Sequence, residues 1–123
     1  MKKNNFKKIA ESIIAVGFKP AENQISILGC GFSIDWKGKI LSAAHLYIQL
    51  APELRDKLVG MVMTKKDETG LEYYTWLPLS LINKDDKNDL AIFQLKNYDQ
   101  TILRPLVLGD SDKIDVGDEA YFI

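Results

Sequence analysis

The chain has one histidine, His45, and one cysteine, Cys30, among its 123 residues. An imidazole titrates near neutral pH, with an unperturbed pKa of about 6.5, so it can take a proton from a hydroxyl nucleophile as that hydroxyl attacks. It has two ring nitrogens, and a carboxylate on the far side must hold the N–H if the other nitrogen is to act as the base. Asp89 is the candidate for that carboxylate because it leads directly into the apolar run Leu90-Ala91-Ile92-Phe93-Gln94-Leu95. Taken alone, His45 reads as a structural or surface histidine, and Asp89 as a strand-entry residue accepting backbone hydrogen bonds. Asp85 and Asp86 read as solvated loop residues and Asp110 as a turn residue, since none of them precedes an apolar strand.

The elements that must position these groups are mostly short and extended. Asn5 to Glu11 has Phe6, Ile9 and Ala10 at helical spacing and predicts a short helix within an N-terminal segment, residues 1–11. Ser12 to Phe18 is rich in β-branched residues and stops before Pro20. After a turn at Glu22-Asn23, Gln24 to Trp36 predicts a long strand that Lys37-Gly38 reverses into Lys39 to Ala43. Pro52 to Arg55 reads as a helical turn or an irregular loop. Leu58 to Thr64 and Glu72 to Ile82 read as strands joined by a polar hairpin loop ending at Gly70. Asn83 to Asn88 reads as a surface connection and Asp89 to Leu95 as a strand. Tyr98 to Leu108 looks extended and irregular, and Glu119 to Ile123 predicts a last strand after a turn at Gly117-Asp118.

About seven extended segments with little helix predict an all-β domain, and closing it into an antiparallel barrel removes the sheet edges so many strands would otherwise expose. Ile25 and Ile27 occupy one side of their strand and Leu28, Phe32 and Ile34 the other. One face is therefore expected on the barrel core and the other beneath a further element.

The string Gly29-Cys30-Gly31-Phe32-Ser33-Ile34, a turn at Lys37-Gly38, and Ile40-Leu41-Ser42-Ala43-Ala44-His45 together resemble the glycine-flanked hairpin that delivers the catalytic histidine in trypsin-like serine proteases. Asn88-Asp89-Leu90-Ala91-Ile92-Phe93-Gln94-Leu95 resembles the family's aspartate and the apolar strand after it. Leu108-Gly109-Asp110-Ser111 and Val116-Gly117-Asp118 resemble two further marks of the branch related to the bacterial heat-shock proteases. Each string alone is weak, and their shared order from about Ser12 to Ile123 carries the resemblance.

The resemblance implies a six- to seven-stranded Greek-key barrel over residues 12–123, the first of a two-barrel peptidase, with His45 as general base and Asp89 as its orienting partner. The family's serine nucleophile lies in a Gly-Asp-Ser-Gly-Gly type motif on a second barrel, and no such string occurs here. Ser33, Ser42 and Ser111 take no nucleophilic role from the resemblance. The chain is thus expected to be a fragment or degenerate relative, inactive by itself, whose parent protein cleaves a peptide or protein substrate. The competing reading is a non-catalytic barrel that binds a peptide or partner protein. Under either reading, an exposed interbarrel face favours a homodimer. Cys30 stands where the bacterial branch often has a small hydroxyl residue and is expected to be a buried thiol, a Cys30–His45 nucleophile pair being the remote alternative.

Composition excludes other classes. Sixteen Lys+Arg against seventeen Asp+Glu leave a net charge of −1, so no positive field gathers nucleic acid. The apolar stretch Ile13 to Phe18 is short and follows Glu11, so it reads as fold rather than signal peptide, and no run is long enough to span a membrane. A single cysteine implies no intrachain disulfide and fits a cytoplasmic or otherwise reducing location. One histidine and one cysteine cannot assemble the usual zinc sphere, and no calcium loop or dinucleotide fingerprint is present, so no metal or cofactor is expected.

Overall fold

A computed structural model describes residues 11–98, 101 and 103–106 of the chain. Six strands form within them: β1 (Ile13–Ala21), β2 (Gln24–Ser33), β3 (Lys39–Ser42), β4 (Leu58–Lys66), β5 (Glu72–Asp85) and β6 (Leu90–Leu95). Between β3 and β4 lie a one-turn helix, α1 (His45–Ile48), and a 3-10 segment, Pro52–Lys57. The strands close into an antiparallel barrel in the order β1-β2-β3-β6-β5-β4, with β4 returning to pair with β1. The chain leaves β3 and crosses to β4 on the far side of β1, leaving β3 to be joined by β6. That crossover is the Greek-key connection the resemblance implies. The expected helix over Asn5 to Glu11 lies outside the described residues except for Glu11, and the expected strand Glu119 to Ile123 lies wholly outside them.

Alternation along the strands builds the core. Ile14 and Val16 of β1, Ile40 of β3, Leu58 and Val62 of β4, and Phe93 and Leu95 of β6 are each at most 1% exposed. They meet inside the barrel with Leu79 of β5 and Leu46 of α1. Among the described residues no buried side-chain nitrogen or oxygen lacks a hydrogen-bond partner, as a well-packed interior requires.

Several boundaries differ from expectation, each for a local reason. β2 stops at Ser33 instead of Trp36 because Asp35 folds the chain: its Oδ1 accepts the backbone N–H of Lys37 at 2.8 Å and of Lys39 at 3.1 Å. Gly38 completes that turn at φ +79°, a conformation side-chain-bearing residues rarely adopt. β5 continues through Asn83 to Asp85, where a surface connection was expected, because exposed polar side chains still leave the backbone free to pair with Ile92, Ala91 and Leu90. Ile25 and Ile27 are exposed, at 37% and 68%, and no described element covers them. Of β2, β3 pairs only with Phe32 and Ser33, and β4 pairs with β1 only as far as Phe18, so the outer half of the β1–β2 hairpin projects past the sheet.

Candidate functional site

His45 is delivered by a close approach of β2 and β3. A Cβ on Gly31 would lie 2.8 Å from Ile40 Cγ2 and 3.0 Å from the Leu41 carbonyl oxygen, so only glycine lets the strands pack this tightly. The Ser42 hydroxyl donates to the Cys30 carbonyl at 2.8 Å and ties the end of β3 back to β2. Ala44 is fully buried, which accounts for the small residue before the histidine: a larger side chain would meet the core. Leu46, the next apolar residue, packs in the space opened by Gly29, where a Cβ would sit 3.2 Å from its methyl carbons. The chain then turns into α1 with His45 as its first residue.

Asp89 is placed by the turn between β5 and β6. Asp85 organises that turn: Oδ1 accepts the backbone N–H of Lys87 at 3.1 Å and of Asn88 at 3.2 Å, and Oδ2 accepts the Asn88 amide at 2.7 Å. The solvated-loop role expected of Asp85 is therefore corrected. The signal was present in the sequence, since an aspartate two and three residues ahead of free backbone donors is a common turn former. Asp89 follows at φ +55°, a left-handed conformation that aspartate tolerates better than most residues. Hence β6 begins at Leu90 and not at Asp89. Asp86 keeps the solvated role expected of it, half-exposed and paired with Lys84 at 2.6 Å.

These two deliveries bring the residues together. The backbone N–H of His45 donates to Asp89 Oδ1 at 2.7 Å, and His45 Nδ1 lies 2.6 Å from Asp89 Oδ2. The backbone N–H of Ala44 adds a 3.2 Å bond to the Asp89 carbonyl. The hydrogen bonds from the His45 side chain, then from its backbone N–H, hold the Asp89 carboxyl below its ordinary value. An ionised carboxylate only accepts, so the 2.6 Å contact requires the proton on Nδ1. Nε2 is then the nitrogen through which the ring exchanges protons with another molecule. Both side chains are about half exposed, 49% for His45 and 50% for Asp89, so solvent screens the pair in this chain.

The remaining candidates are committed elsewhere. The Ser33 hydroxyl donates to the Asp35 carbonyl at 2.9 Å and Ser42 to that of Cys30. Ser111 and Asp110 lie outside the described residues. Cys30 is exposed, which corrects the expected burial: it occupies the outward position between two glycines that face inward. Among the described residues no three His, Cys, Asp or Glu side chains gather as metal ligands, and no helix is long and apolar enough to cross a membrane.

No family model matches the chain. Among solved structures it is similar to the crystal structure of Deg5, with a TM-score of 0.62 and 24% identity over 95% of this chain and 55% of that one. It is also similar to the apo crystal structure of the MamO protease domain from Magnetospirillum magneticum, with a TM-score of 0.54 and 14% identity over 78% of this chain and 44% of that one. The chain thus spans about half the length of each. The likeness establishes the fold as a trypsin-like β-barrel.

Proposed function

We propose that this barrel is the histidine- and aspartate-bearing half of a trypsin-like serine endopeptidase, residues 12–123 forming its N-terminal barrel after a leading segment, residues 1–11. The observation that carries the reading is the Asp89 carboxylate gripping both the backbone N–H and Nδ1 of His45. That grip selects one tautomer and one ring orientation, which is what a general base needs and a surface histidine does not. The strings Leu108-Gly109-Asp110-Ser111 and Val116-Gly117-Asp118 favour the branch related to the bacterial heat-shock proteases.

In this mechanism Nε2 of His45 takes the proton of a serine hydroxyl as its oxygen bonds to the scissile carbonyl carbon. Asp89 stays ionised and stabilises the imidazolium that forms. As the carbon–nitrogen bond breaks, His45 returns the proton to the leaving amine, and water repeats the cycle on the acyl-enzyme. The serine, the oxyanion donors and the specificity pocket belong to a second barrel. That barrel would also cover the half-exposed pair and remove the screening that weakens it here. Leu90, adjacent to Asp89 and 47% exposed, lines a shallow apolar recess with Leu41 and Ile92 that suits such a contact.

A second reading, a non-catalytic barrel that binds a peptide, a partner protein or a second copy of itself, draws on the same recess and on other exposed apolar residues such as Ile82, 49% exposed. Casein hydrolysis by the full-length gene product separates the two. The protease reading expects cleavage that His45→Ala abolishes, with a fluorophosphonate labelling a serine outside residues 1–123. Absence of cleavage, or cleavage indifferent to His45, contradicts it. The 123-residue chain alone is expected to hydrolyse nothing.

A further inference from the structure

Helix α1 has four residues, far too few to be stable without outside support. Its N-terminal end is held by Asp89, as described above. Its C-terminal end presents carbonyl groups that a single turn cannot satisfy internally. One side chain takes the last two of them and the Leu50 carbonyl just beyond the helix. Arg55, half-buried in the 3-10 segment, donates from Nε to the Tyr47 carbonyl at 3.2 Å and the Leu50 carbonyl at 3.1 Å, and from Nη2 to the Ile48 carbonyl at 3.1 Å. Its guanidinium carbon also sits 4.7 Å from the centroid of the Tyr47 ring. That ring leans on the fully buried Phe93, with centroids 6.5 Å apart. A planar fork with several donors suits this task, because it can reach carbonyls pointing in different directions while its face stacks on an aromatic ring.

The grip on α1 is thus two-ended. Asp89 fixes where the turn begins, and Arg55 fixes how it ends and ties it through Tyr47 to Phe93, which pairs with Ile40 on β3, the strand that delivers His45. With the far end of the turn free, the backbone of His45 gains rotational freedom about its own hydrogen bond to Asp89. A 2.6 Å contact at the end of a side chain does not survive much of that.

We infer that Arg55 is a positioning residue for His45, holding α1 from its C-terminal end so that the imidazole stays in register with Asp89. The inference rests on the proposed role of His45 as a general base oriented by Asp89, and its test reports on that role separately. Because His45 is the sole histidine, NMR spectra of the 15N,13C-labelled 123-residue chain carry one imidazole. Two readouts apply: the Nδ1–H proton resonance of His45, and the titration midpoint of the Asp89 carboxyl carbon.

Arg55→Ala is expected to preserve the dispersed amide spectrum of the barrel, to broaden or abolish the Nδ1–H resonance, and to move the Asp89 midpoint up toward its ordinary value of 3.8. Arg55→Lys is expected to restore both in part, since an ammonium can reach a carbonyl but cannot cover all three. Should Arg55→Ala unfold, Arg55→Gln is read in the same way. A folded Arg55→Ala or Arg55→Gln chain with the wild-type resonance and midpoint overturns the inference, because a role confined to general stability would leave both unmoved. If the wild-type chain itself shows no Nδ1–H resonance sensitive to Asp89→Asn, the proposed orientation of His45 by Asp89 fails instead.

Discussion

Asp89 holds His45 at two points, one carboxylate oxygen on its backbone N–H and the other on Nδ1. The first bond sets where the residue sits and the second sets which way its ring faces and which nitrogen carries the proton. The consequences of breaking the two can be separated by substitution.

Asp89→Asn keeps one acceptor oxygen for the backbone N–H but places an amide donor against Nδ1. The ring must then move its proton to Nε2 and can no longer act as a base there. Under the proposed protease function, kcat of the full-length protein is expected to fall by about 10⁴-fold with little change in KM, read from peptide hydrolysis under saturating and limiting substrate.

The acid limb of stability carries a related signature. The His45 side chain and then its backbone N–H lower the Asp89 carboxyl from its ordinary 3.8. A depressed folded-state value means that ionised Asp89 stabilises the fold above 3.8, and that this contribution is lost as pH falls through the folded midpoint. The Tm difference between wild type and Asp89→Asn is therefore expected to be constant above about pH 5 and to shrink below it, as differential scanning calorimetry across that range would show.

Asp85→Ala removes the acceptors for Lys87, Asn88 and the Asn88 amide while touching neither His45 nor Asp89. The turn should loosen, and Asp89 should leave its left-handed conformation for part of the population. The expected result is a weakened His45 Nδ1–H resonance in an otherwise native spectrum, with Asp85→Asn recovering most of it because an Asn oxygen can fill the same place.

Gly31→Val tests the packing that delivers His45. Its side chain would press on Ile40 Cγ2 and the Leu41 carbonyl, both inside the β2–β3 contact. Overpacking of this kind typically costs 1–3 kcal/mol, here expected at about 2 kcal/mol, measured as a lower urea midpoint with an unchanged m-value. Phe93→Ala, which empties the centre of the barrel, is expected to cost more, about 3–5 kcal/mol.

Much of this arrangement was legible in the sequence. Glycines at 29 and 31, small residues at 42 to 44, and an aspartate opening an apolar run carried the family resemblance, and it was the resemblance that paired His45 with Asp89. The barrel followed from the number of short extended segments, whose edges a closed sheet removes, and from the family resemblance. What escaped depends on hydrogen bonds between a side chain and distant or turning backbone, which leave no periodicity. Arg55 reaches carbonyls five to eight residues before it, and nothing in Pro52-Glu53-Leu54-Arg55 marks it as different from a solvated arginine. The exposure of Ile27 and Cys30 was missed because an apolar residue in a strand reads as buried, whereas Ile27 lies where the β1–β2 hairpin outruns the sheet and Cys30 faces outward between two glycines.

A catalytic role for His45 depends most directly on which of its ring nitrogens carries the proton. A long-range 1H–15N correlation spectrum of the 123-residue chain at neutral to mildly alkaline pH reports it without ambiguity, since only one imidazole is present. The account predicts a protonated Nδ1 and an unprotonated Nε2, with the preference lost in Asp89→Asn. A ring protonated mainly on Nε2 in the wild-type chain, or one indifferent to Asp89, would contradict it.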